Sequence, residues 1–71
     1  MHIIFSHGKE SGPDGGKIRA LAALAADLGC THESVDYRDL PDHPDLRVER
    51  LVARISACDD DIILVGFSVV F

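Results

Sequence analysis

Positive charge is scarce in this chain. Seven Lys plus Arg stand against twelve Asp plus Glu, giving a formal net charge of −5 and a pI near 5.1. Binding nucleic acid needs clustered cations to neutralise phosphates, and anionic membrane surfaces make the same demand, so neither is expected as a partner. No apolar run approaches the roughly 20 residues that span a bilayer. The opening Met1-His2-Ile3-Ile4-Phe5-Ser6-His7 has neither the basic start nor the apolar stretch of a signal peptide. Cysteine is also sparse. Cys30 and Cys58 are too few and too far apart for a zinc cluster or a redox pair, and reduced thiols in a cytoplasmic chain are expected. The histidines His2, His7, His32 and His43 show no metal-ligand spacing, so no metal is expected.

What is present is enough for one small core: 71 residues, 46% of them hydrophobic. His2-Ile3-Ile4-Phe5-Ser6 reads as a short strand. A glycine-rich loop follows, from Gly8 to Gly16. From about Lys17 to Leu28 the apolar residues Ile18, Leu21, Ala22, Ala25 and Leu28 recur at helical spacing, and Gly29 is placed to stop the helix. Ser34-Val35-Asp36-Tyr37 reads as a second, weaker strand. Pro41 and Pro44 break regular structure before a helix from Leu46 to about Ala57. That helix has Val48, Leu51, Val52 and Ile55 on one face, with Arg47, Glu49, Arg50 and Arg54 mostly on a solvated one. Asp61 to Gly66 is a continuous apolar strand of the kind covered on both faces.

Alternating strands and helices with connections of this length predict an α/β fold: a three-stranded parallel sheet with two right-handed crossover helices. If strands one and three are neighbours, with strand two on the far side of strand one, the order is 2-1-3. In that order a topological switch point falls between strands one and three, and ligands of open α/β sheets bind at such points. Two loops would face each other there. One begins at His7-Gly8-Lys9 and runs to residue 15, long for a connection that is usually ~2–6 residues. The other is Gly66-Phe67-Ser68. A serine just past a buried strand, near backbone N–H groups aimed at a developing oxyanion, suits acyl transfer.

On these residues the sequence resembles the α/β-hydrolase family. Ile3-Ile4-Phe5-Ser6-His7-Gly8-Lys9 matches the strand and His-Gly oxyanion loop. Ile62-Ile63-Leu64-Val65-Gly66-Phe67-Ser68 matches the nucleophile strand and elbow. The likeness covers essentially the whole chain and corresponds to the first part of the family's single domain, in the style of small bacterial esterases and dienelactone-hydrolase-like enzymes. Carried over, it implies hydrolysis of a small-molecule ester or related acyl substrate, with no cofactor. Ser68 is the implied nucleophile, the backbone N–H groups of Lys9 and Val69 the oxyanion donors, and His7, Gly8 and Gly66 the loop-shaping residues. Two departures stand out. Val70 occupies the elbow position where the family has glycine, and every histidine precedes Ser68, whereas the family order is serine, acid, histidine. The expectation is an N-terminal stretch, residues 1–71, cut just after the elbow by a frameshift or premature stop. It would lack the acid and the histidine and be inactive alone.

Two other functions fit parts of the chain. Residues 8–17 could form a phosphate- or nucleotide-binding loop, since Gly16-Lys17 fits the P-loop pattern. Ser11 stands where its first glycine belongs, and Ile18 where its hydroxyl residue belongs. A non-catalytic interaction protein could pair through the third strand, an open edge in a fold with little stability to spare, which predicts poor solubility or self-association.

Overall fold

A computed structural model describes residues 1–8 and 12–67. The chain runs β1 (His2–Ser6), α1 (Gly16–Asp27), β2 (Thr31–Val35), α2 (Pro44–Ser56) and β3 (Ile62–Gly66). The strands form one parallel sheet in the order β2-β1-β3, as the sequence predicts. β1 is central: its His2 lies level with Thr31 and Ile62, and its Ser6 level with Val35 and Gly66.

Strand alternation turns Ile4 and Phe5 to opposite faces, and both are fully buried. Such burial contributes about 2–3 kcal/mol per side chain. Ile4 packs with Val35 and Tyr37, joined by Leu51 and Ile55 of α2 and by Ile62. The ring of Phe5 meets His32 edge-on at 6.3 Å. The crossover from β1 to β2 and the one from β2 to β3 run in opposite directions across the sheet. With both right-handed, α1 and α2 fall on opposite faces.

The helices differ in detail from the sequence reading. In α1 the buried residues are Ile18 and Ala25, with Ala22 half-buried beside them, whereas Leu21 and Leu24, and Leu28 just past the helix end, face outward at 37%, 54% and 71% exposure. In α2 only Leu51 and Ile55 reach the core, and Val48 and Val52 remain exposed. Three strands are too narrow a sheet to cover the full apolar arc of either helix. Helix α2 starts two residues earlier than Leu46 because Pro44, read as a breaker, takes its first position, where a missing N–H costs nothing. Helix α1 closes in a Schellman arrangement: Cys30 N–H donates to Ala25 O at 2.9 Å and Gly29 N–H to Ala26 O at 3.1 Å, with Gly29 at φ +75°.

β2 also lies earlier than Ser34–Tyr37. Its polar first half is held to its neighbours by side chains: His2 Nδ1 to Thr31 Oγ1 at 2.7 Å, and Arg54 to Glu33 at 2.7 Å. Tyr37 lies beyond the strand, buried. β3 is an edge among the described strands, and Ile63 and Leu64, on opposite faces of it, are 42% and 50% exposed.

Candidate functional site

β1 and β3 are adjacent, parallel and in register, so their carboxyl ends finish side by side. Ser6 pairs with Gly66, and Phe67 N–H donates to Ser6 O at 2.9 Å, extending the ladder one residue past the strand. The loop opening at His7-Gly8 and the turn opening at Gly66-Phe67 therefore leave from neighbouring points on one edge. Lys9, Ser68 and Val69, together with Val70, lie outside the described residues. Gly66 has room: a Cβ added there would meet nothing within 4 Å, so among the described residues no contact demands glycine.

His7 is 4% exposed, and both of its ring nitrogens are engaged. Nε2 accepts the backbone N–H of Tyr37 at 2.8 Å, and Nδ1 lies 2.8 Å from Gly8 O. A nitrogen accepting from an amide carries no proton, so Nε2 is bare and Nδ1–H donates to Gly8 O, which fixes a neutral tautomer. Asp36 Oδ1 stands 3.9 Å from Nε2, beyond hydrogen-bond reach. With its lone pair already used, this imidazole is not disposed to act as a general base.

Three elements close around His7. Ser6 at the end of β1 shares a hydrogen bond with the Tyr37 hydroxyl at 3.0 Å. The Tyr37 ring lies 5.0 Å from the His7 ring. The Arg47 guanidinium of α2 sits 4.8 Å over the Tyr37 ring, while its Nη2 donates to His7 O at 3.1 Å. Beside this group is a cavity of about 260 Å³ lined by Ser6, Tyr37, Pro44, Arg47, Val48 and Leu51.

The arginines of α2 are thus not simply a solvated face. Arg47, Arg50 and Arg54 recur at i, i+3, i+7, the spacing of one helical stripe. Arg50 donates to both Asp39 oxygens and to Asp36 O, and Arg54 grips Glu33. Arg38 forks onto Asp36 through Nε and Nη2 while its backbone N–H binds the same carboxylate. Those bonds hold the Asp36 carboxyl at about 2. Asp39 is likewise held below the usual carboxylate range by Arg50. Burial pushes Glu33 up, but hydrogen bonds from Arg54 and His2 outweigh it and leave its pKa lowered.

The glycine-rich loop uses one of its own donors internally: Gly15 N–H bonds Gly12 O at 3.3 Å, closing a turn over Pro13-Asp14. That N–H is not free for a phosphate, and no side chain caps the start of α1. Among the described residues no group of three His, Cys, Asp or Glu is placed to hold a metal ion, and no helix is long and apolar enough to cross a membrane.

Sequence reasoning missed Tyr37 and Arg47. The available signal was the arginine stripe set against the acids Glu33, Asp36 and Asp39, themselves three residues apart.

An open parallel α/β sheet with two loops leaving side by side at its carboxyl edge defines an α/β protein, a class in which ligands bind at the switch point. Comparison with solved structures narrows the class. The chain is similar to a protein from Xanthomonas campestris pv. campestris provisionally assigned as a hydrolase of the α/β superfamily. The two share 41% identity over 92% of this chain, with a TM-score of 0.75. The resemblance read from the sequence thus holds at the level of that superfamily, in sequence and in fold. The chain spans less than half of that protein's length, 43%. No family model matches the chain, and no curated protein matches it.

Proposed function

We propose that this chain carries the oxyanion loop and the nucleophile of a hydrolase acting on ester or related acyl bonds. Ser68 is the nucleophile in this reading. The backbone N–H groups of Lys9 and Val69 receive the oxyanion, and His7, Gly8 and Gly66 shape the two turns. The observation that carries it is the pairing of Ser6 with Gly66, which starts both loops from adjacent strand ends. A carbonyl carbon near the end of β3 would then lie within reach of donors from the end of β1, as tetrahedral addition requires. A serine hydroxyl is a weak nucleophile until a base removes its proton. His7 is engaged at both nitrogens and is not disposed to take the proton of Ser68, so in this reading the 71 residues alone are inactive. The partners are a small acyl substrate and, through the exposed β3 edge, further copies of the chain. No cofactor takes part, and the setting is cytoplasmic.

The test is a chimera in which residues 1–71 replace the matching part of the Xanthomonas protein, with Val70→Gly to restore the elbow. It is assayed on short-chain p-nitrophenyl esters. Ser68→Ala is expected to lower kcat/KM by at least about 1,000-fold. Hydrolysis that survives the substitution would remove Ser68 from the reaction.

A further inference from the structure

We propose that Arg47 is a positioning residue: it holds the turn at His7-Gly8 in a single orientation, and so fixes the start of the loop assigned above to oxyanion binding. The functional half of this inference rests on the hydrolase reading.

The observation is where this guanidinium goes. Arg38, Arg50 and Arg54 all bind carboxylates. Arg47, half-buried on the same helical stripe as Arg50 and Arg54, instead donates to a neutral backbone carbonyl, that of His7, at 3.1 Å. Its Cζ lies over Tyr37, 4.8 Å from the ring centroid, a contact that restricts the fork's rotation. Tyr37 is fixed in turn. It is buried, its hydroxyl meets Ser6, and its N–H meets His7 Nε2.

Two successive carbonyls therefore each receive a bond from an ordered donor: His7 O from Arg47, and Gly8 O from the His7 ring. A peptide unit is planar, with its C=O and N–H pointing opposite ways. Fixing a carbonyl fixes the N–H direction of the same unit. A loop whose first two peptide planes are clamped presents its amides without reorganising during the reaction, and this preorganisation gives oxyanion donors their effect. Arg47 supplies the part of the clamp that comes from α2, across 40 residues of sequence.

The first experiment uses the ¹⁵N-labelled 71-residue chain. In the unsubstituted chain His7 is expected as the Nδ1–H tautomer, with an ordered Gly8 amide. Arg47→Met keeps the apolar stem and removes the donor. It should drop the Gly8 order parameter from the rigid range near ~0.85 to below about 0.6, whereas Arg54→Met, on the same helix, should leave it unchanged. Arg47→Lys, which can still donate, should restore it in part. In the chimera, Arg47→Met should lower kcat about 10- to 100-fold with KM within about twofold, the signature of an interaction made in the transition state. A Gly8 amide equally ordered in Arg47→Met, or equally loosened in Arg54→Met, overturns the proposal. So does a change confined to KM, which would make Arg47 a wall of the adjoining cavity. Hydrolysis indifferent to Ser68→Ala marks failure of the hydrolase reading instead, and the NMR arm tells the two failures apart.

Discussion

At the scale of single residues, His7 shows how a side chain that looks catalytic in sequence is occupied in the fold. It lies at a strand end in a glycine-rich context, yet it accepts from Tyr37 N–H and donates to Gly8 O. Replacing it with a similarly bulky apolar ring, His7→Phe, leaves a buried N–H unpaired. Chemical denaturation should show a loss of about 1–3 kcal/mol, and a variant as stable as the parent would mean that water or another group takes over the bond. Asp36 gives a pH prediction. Its folded pKa, about 2, lies below the ordinary 3.8 because Arg38 favours the charged form. The stability it contributes is therefore complete above pH 3.8 and is lost as pH falls towards 2. The thermal midpoint should decline across that window, and Arg38→Gln should flatten part of the decline. An unchanged slope in Arg38→Gln would show that the pair does not link folding to protons.

Among the elements, the end of α1 is the most sharply specified. Gly29 takes φ +75°, and an added Cβ would meet nothing within 4 Å. Gly29→Ala should therefore cost only the left-handed penalty, about 1–2 kcal/mol, read as a fall in the denaturation midpoint. No fall would mean that the helix end refolds into another cap. This stop was legible in the sequence, because glycine after an apolar-periodic stretch has one common use. Parallel pairing was legible as well, since connections of this length cannot be hairpins. The extent of β2 was not: Thr31, His32 and Glu33 carry no apolar signal, and they are placed by pairing with β1 and by bonds to His2 and Arg54. Periodicity likewise marked Leu21 and Leu28 as core. It measures a helix face, and what covers that face depends on how wide the sheet is. At the candidate site, the adjacent strand ends at Ser6 and Gly66 could be read from the sequence, whereas Tyr37 and Arg47 join it only through contacts 30 and 40 residues apart in sequence.

For the whole molecule, apolar surface left uncovered is the dominant feature. Ile63 and Leu64 on β3, Leu24 on α1 and Leu28 just after it are all more than 40% exposed. An edge strand of this kind offers unpaired backbone groups together with apolar side chains, the combination that drives strand addition. The 71-residue chain should sediment as a mixture of species, and Leu64→Lys, by charging the edge, should shift it towards monomer. A monodisperse parent with a sharp, reversible thermal transition would contradict this. The larger claim is that the paired ends of β1 and β3 form one acyl-transfer site. The most direct measurement of it is the mass of the adduct formed with a serine-directed phosphonate by the chimera completed with the Xanthomonas sequence. The account predicts one phosphonyl group per chain, located at Ser68 and absent both from Ser68→Ala and from the 71-residue chain alone. An adduct at another residue, or strong labelling of Ser68 in the 71-residue chain alone, would contradict it.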